Sequence, residues 1–135
     1  MTNDNSSSEH TPLTREQILA APEQEYMNED QLEFFRILLV ELHETTLARI
    51  REAKEQMTSS FDKSDDSDRA TWEEQSSIAL RIAEREQRLL PKIIQALERI
   101  RCEDFGYCME SGEPIGIPRL LARPTAEYCA EVKAI

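Results

Sequence analysis

Residues 28–57 read NEDQLEFFRILLVELHETTLARIREAKEQM. Along them Leu32, Phe35, Leu39, Leu42, Thr46, Ile50, Ala53 and Met57 recur at steps of three and four, the period that places side chains on one face of an α-helix. The spacing predicts a helix of about 30 residues, or roughly 45 Å at 1.5 Å per residue. Asn28 marks its start, with Gln31 three residues on: the Asn side chain accepts from an orphan N–H while the Gln side chain reaches back.

Working outward, TSSFDKSDDSD from Thr58 to Asp68 has no periodicity and is dense in turn and cap formers. Beyond it a second stripe runs through Ile78, Ile82, Leu89, Ile93, Ala96 and Ile100. Two long helices joined by a short polar loop fold back as an antiparallel coiled-coil hairpin. The expected fold class is thus mostly all-α, with the hairpin at 28–101, its tip at 58–68, and a small globular head from which it projects. Pro91 lies inside RLLPKII, where it removes one helical hydrogen bond at a cost of about 3 kcal/mol. The expectation is a kink or local irregularity between Leu89 and Lys92.

The flanks supply the head. Residues 1–12 form a polar, Ser-rich lead that cannot bury enough apolar area to order itself. Residues 13–27 begin with LTREQILAA, a short amphipathic helix stopped by Pro22. Residues 102–135 switch to a Gly- and Pro-rich knuckle followed by a final short helix from Thr125, TAEYCAEVKA.

The formal net charge is −11, with 16 acids against 7 bases in residues 1–70 and 11 against 9 afterwards. That balance argues against direct binding to duplex DNA, which needs a basic face. An acidic protein is better matched to a basic cavity on another protein, or to a metal ion. No apolar run reaches the roughly 20 residues of a membrane span, and three cysteines fit a reducing compartment better than a disulfide framework. A cytoplasmic protein with no membrane association is expected.

Three groups of residues carry candidate chemistry. At the tip Asp62, Asp65, Asp66 and Asp68 crowd together with Lys63. They serve either as caps and turn formers, favoured near a helix N-terminus, or as carboxylates that a slender rod delivers into a basic or Mg²⁺-containing cavity. On the second helix Arg81, Arg85, Arg88 and Lys92 make a basic face, which by itself reads as solvated surface with i,i+4 pairs such as Glu84–Arg88. In the knuckle, Cys108 and Cys129 keep the rhythm of a zinc ribbon, but Ser111 and Val132 stand where two further thiolates would close the site. Structural zinc takes four good donors in a tetrahedron. The reading is no metal, with Cys102, Cys108 and Cys129 as small buried hydrophobes. Apolar packing by Phe105, Tyr107, Ile115, Ile117, Leu120, Leu121, Tyr128 and Val132 then replaces coordination.

The runs EYMNEDQLEFF (Glu25–Phe35), DDSDRATWEE (Asp65–Glu74) and EDFGYCMESGEPIGIPRLLARPTAEYC (Glu103–Cys129) together resemble the DksA/TraR family of bacterial RNA polymerase-binding regulators, over about residues 22–133. The resemblance implies a coiled-coil finger that enters the polymerase secondary channel. Its D-x-x-D-R-A motif falls on Asp65, Asp68, Arg69 and Ala70, which would be the effector tip and would do no chemistry themselves. It also implies binding of the alarmone guanosine tetraphosphate (ppGpp) at the polymerase interface, through the positions matching Arg85, Leu89, Lys92, Arg123 and Lys133. The family's zinc quartet is reduced here to Cys108 and Cys129, with Ser111 and Val132 as vestigial ligand positions, as in cysteine-poor paralogues that work without zinc. The expected protein is a non-enzymatic, zinc-independent monomer that destabilises open complexes at ribosomal RNA promoters with ppGpp. The alternatives are a Gre-type stimulator of transcript cleavage, whose acidic tip holds a second Mg²⁺, and a helical-hairpin adaptor with no polymerase role.

Overall fold

The computed structural model describes residues 11–58 and 66–131. In chain order it holds α1 (Arg15–Ala20), a 3₁₀ turn (Glu23–Glu25), α2 (Glu29–Thr58), α3 (Asp66–Arg101) and α4 (Ile117–Ala122). Among the described residues the only extended pairing is an isolated antiparallel bridge between Tyr107 and Pro114. The chain divides into two compact units, a head made of the segments up to Leu39 and from Ala96 onward, and a hairpin unit, Val40–Gln95.

In the head, local chemistry sets each helix end. Thr14 caps α1 with a full capping box: its hydroxyl accepts from the Gln17 N–H at 3.1 Å, and the Gln17 carbonyl oxygen accepts from the Thr14 N–H at 2.9 Å. Asn28 caps α2 by accepting from the Gln31 N–H at 2.9 Å. The Gln31 side chain reaches one residue further back than a capping box requires and accepts from the Met27 N–H at 2.9 Å. Met27 thereby holds a left-handed backbone, φ 56, a conformation unusual outside glycine.

The core of the head gathers Ile18 from α1, Phe35 and Leu39 from α2, Ala96 from α3, Phe105, and Leu120 from α4, all essentially buried. Phe35 is the hub. Its ring lies 5.4 Å from Phe105 and 5.1 Å from Phe34, and burying an aromatic of this kind contributes about 1.5–3 kcal/mol. Helix α1 packs against α4.

Helix α4 departs from the expected layout. The sequence reading treated Gly116 to Pro118 as turn chemistry and began the last helix at Thr125. Helix starts instead at Ile117, because Pro118 occupies its first turn, where a missing N–H costs nothing. Thr125–Cys129 are turn and irregular backbone, and helix resumes at Ala130 and Glu131.

In the hairpin unit the two helices run antiparallel: Ala53 packs with Ala79 and Ala83, joined by Met57 and Ile82, and Arg49 pairs with Glu86. The α2 stripe holds, with Thr46, Ile50 and Ala53 buried. The α3 stripe is shifted by one residue at its first position. Ile78 is 45% exposed while Ala79 is fully buried, and the seam continues through Ala83, Glu86 and Ile93. Small side chains let two helix backbones approach closely, so alanine, which a reading weighted towards large aliphatics passes over, makes the contact.

Pro91 does not interrupt the helix. Helix α3 is continuous from Asp66 to Arg101, so the irregularity expected between Leu89 and Lys92 does not appear as a break in helical structure. Pro91 and Gln87, whose carbonyl loses its donor, are both exposed, and water can satisfy that oxygen.

Candidate functional site: tip, basic face and cysteine knuckle

Helix α3 already starts at Asp66, before the loop expected from sequence ends at Asp68. Asp68, Arg69 and Ala70 therefore fall within the first turns of a helix, where the positive end of the helix dipole favours carboxylates. Arg69 and Ala70 are exposed. Asp65 lies outside the described residues.

Arg85, Leu89 and Lys92 follow one another at steps of four and three on α3, so they share a helix face. Arg85 and Lys92 are exposed and Leu89 is half-buried. Arg123 belongs to the head, exposed at the C-terminal end of α4, and its N–H donates to the Arg119 carbonyl at 2.8 Å. Lys133 lies outside the described residues.

Sequence reasoning missed the groups that surround this basic face. Glu86, beside Arg85, is 5% exposed on the seam. Its carboxylate lies 3.6 Å from the Arg49 guanidinium and 3.7 Å from that of Arg85. These are ion-pair separations too long for hydrogen bonds, so Oε1 has charge compensation but no hydrogen-bond donor. Counting Ala79 and Ala83 as seam positions would have placed Glu86 on the buried face.

The knuckle is built by backbone pairing. The Cys108 N–H donates to the Glu113 carbonyl and the Ile115 N–H to the Gly106 carbonyl, both at 2.8 Å, and the Gly112 N–H closes the turn on Cys108 at 2.9 Å. Gly106 has φ +95, and a Cβ there would sit 2.8 Å from the Met27 side chain. Tyr26 locks this loop to the N-terminal segment: its hydroxyl donates to the Gly106 carbonyl at 2.6 Å and accepts from the Gly116 N–H at 2.9 Å. Burial raises the Tyr26 pKa, against the lowering effect of the Gly116 N–H. The C-terminal segment of the knuckle is held by Met109 N–H on the Glu127 carbonyl at 2.8 Å, by the Arg99–Glu127 ion pair at 3.3 Å, and by Arg119 Nε on the Tyr128 carbonyl at 3.0 Å.

Within that frame Cys108 and Cys129 are buried and Cys102 is exposed, so the reading of three buried cysteines holds for two. The Ser111 N–H donates to the Cys108 sulfur at 3.4 Å, and the Ser111 hydroxyl lies 3.9 Å from the Cys129 sulfur. Burial pushes the Cys108 thiol up, but the Ser111 hydroxyl and the N–H groups of Ser111, Cys129 and Glu110 outweigh it, lowering its pKa from 9.0 to about 6. The loop thus presents N–H groups to sulfur as a metal knuckle does. The donor set does not match: two thiols and a hydroxyl neutral near pH 7 are present, and valine at 132, outside the described residues, has no donor atom. Of the packing residues expected here, Phe105, Ile115, Leu120 and Leu121 are buried. Ile117 and Tyr128 are half-buried. Tyr107 is 37% exposed, its ring set edge-on against Tyr26 with centroids 5.6 Å apart.

Comparison with known proteins matches two consecutive parts of the chain. Residues 31–100 match the family described as DnaK suppressor protein DksA, N-terminal domain, and residues 103–134 match the prokaryotic dksA/traR C4-type zinc finger. The RNA polymerase-binding transcription factor DksA of Haemophilus influenzae is 41% identical over 114 residues, covering 84% of this chain and 79% of its own. The protein of the same name from Escherichia coli K12 is 42% identical over 119 residues, covering 84% and 76%. Among solved structures, transcription factor DksA2 from Pseudomonas aeruginosa is similar with a TM-score of 0.73 at 43% identity, covering 90% of this chain and 94% of its own. With both regions matched and relatives above 40% identity across four fifths of its length, the chain belongs to the DksA/TraR family.

Proposed function

We propose that this protein is a non-enzymatic transcription regulator that binds RNA polymerase, enters the secondary channel with the tip of its hairpin, and destabilises open complexes at ribosomal RNA promoters together with ppGpp. The observation that carries the reading is the match, at 41–42% identity over 84% of the chain, to proteins named RNA polymerase-binding transcription factors. Its finer parts rest on the tip motif at Asp65, Asp68, Arg69 and Ala70, and on cations of the right type at Arg85, Lys92, Arg123 and Lys133. A polyphosphate needs several such cations converging on it. The acidic balance, −11 overall, supports contact with polymerase rather than with bare DNA. The protein acts as a monomer in the cytoplasm, since a hairpin that closes its own seam needs no partner copy.

The same reading has the head folding without zinc, since half of the ligand positions carry no thiol. Elemental analysis of freshly purified reduced protein should find no stoichiometric zinc, and one tightly bound equivalent would reverse this. The functional test is the lifetime of open complexes at a ribosomal RNA promoter. Wild type should shorten it and Asp68→Asn should lose most of that effect; no effect of the wild type, with or without ppGpp, ends the reading. Stimulated RNA cleavage in a backtracked complex would favour the Gre-type alternative instead.

A further inference from the structure

The hairpin unit holds a pocket of about 420 Å³ lined by Arg49, Glu52, Gln56, Ile82, Arg85 and Glu86. One buried carboxylate, Glu86, stands between two arginines, Arg49 from α2 and Arg85 from α3, at 3.6 and 3.7 Å. The Arg49 and Arg85 side chains are 52% and 72% exposed, against 6% for Glu86. A carboxylate desolvated to this degree demands compensation, and whichever guanidinium supplies it is no longer an unpaired cation. If Arg85 stood alone beside Glu86, the pair would be neutral and a poor partner for an anion.

We infer that Arg49 is a positioning residue for the anion site: by sharing the charge of Glu86 it leaves Arg85 only partly compensated and facing solvent. This rests on the proposal that Arg85 contacts ppGpp, and adds to it a residue of the other helix. The three side chains together carry one net positive charge, shared by two guanidiniums of which Arg85 is the more exposed. Arg49 touches neither the alarmone nor the tip in this scheme, so its removal alters anion affinity and leaves alarmone-independent action unchanged.

The test is in vitro transcription from a ribosomal RNA promoter with ppGpp titrated against full-length wild type, Arg49→Met, Arg49→Lys, Glu86→Gln, the double variant Arg49→Met/Glu86→Gln, and Arg85→Ala. The half-effect concentration of ppGpp should rise about two- to fivefold in Arg49→Met, the range that a partly exposed ion pair carries. It should return to the wild-type value in Arg49→Lys and in the double variant, and fall below it in Glu86→Gln. Inhibition without ppGpp should be the same for the Arg49 and Glu86 variants as for wild type. An unchanged Arg49→Met, or a double variant no better than Arg49→Met, overturns the inference, the second outcome meaning that Arg49 only supports packing. If wild type and Arg85→Ala are equally indifferent to ppGpp, the alarmone reading itself falls and this inference falls with it.

Discussion

The two units solve the packing problem differently. In the head, polar groups are matched: the Tyr26 hydroxyl both donates to and accepts from backbone, Gln31 is buried yet donates its N–H to Asn28 and accepts from Met27, and Phe35 stacks on Phe105. In the hairpin unit the seam is alanine, and Thr46, Ser76 and Glu86 place buried oxygens there without a hydrogen-bond partner. Unsatisfied buried polar atoms cost about 1–3 kcal/mol each. The head therefore has a specified, unique closure, whereas the hairpin trades stability for a slender seam with functional side chains on it. Local opening should be easier in the hairpin unit than in the head.

That contrast can be broken most directly at Phe35. Phe35→Ala removes the ring that packs against Phe34 and Phe105 and should lower stability by about 3–5 kcal/mol, read from urea unfolding followed by circular dichroism. A loss under about 1 kcal/mol would show that the head does not rest on its aromatic hub. Next, Tyr26→Phe leaves the Gly116 N–H without its acceptor and the Gly106 carbonyl with the Ile115 N–H alone, and should cost about 1–3 kcal/mol. Hydrogen exchange should locate the loosening in the knuckle, and loosening in 40–95 instead would contradict the division into units.

In the hairpin, Ala83→Leu forces methylenes into a seam set by alanine, at about 1–2 kcal/mol. Replacing Ile78 by Leu should change stability by less than about 0.5 kcal/mol, because that side chain is outside the seam. Equal costs at both positions would restore the large-aliphatic stripe.

The smallest effect concerns Cys108. Its folded pKa, about 6, lies below the ordinary 9.0, so the thiolate contributes stability that is complete above about pH 9 and is lost as pH falls through about 6. Thiolate absorbance of a Cys102→Ser variant should titrate with a midpoint near 6, and Ser111→Ala should move that midpoint upward. A midpoint near 9 in both would mean that the N–H groups of the knuckle do not stabilise the anion.

Much of this was legible from residue order. The long helices follow from apolar spacing, the start of α2 from Asn28, and the tip and knuckle motifs from residue identity. The misreadings have physical causes. Ile78 looked like core because hydrophobic size was taken as the signal, while the contact distance between helices favoured Ala79. Helix α4 was hidden because Pro118 reads as a breaker unless it is known to sit in a first turn. Pro91 is accommodated because the carbonyl it deprives of a donor belongs to an exposed residue.

Sequence alone was sufficient for what depends on period and residue type: two amphipathic helices, an acidic balance, a knuckle with two of four thiols, and membership motifs strong enough to name a family. What only the tertiary structure decided depends on which groups meet across the fold. Tyr26 is 80 residues from Gly106 and 90 from Gly116, and no local pattern pairs them. Glu86 is one of many helix glutamates until α2 brings Arg49 against it. Cys108 is an ordinary thiol until the knuckle turns the backbone N–H groups of Glu110, Ser111 and Cys129 onto its sulfur. Periodicity is a property of the chain, but desolvation and charge compensation belong to neighbours that only folding supplies.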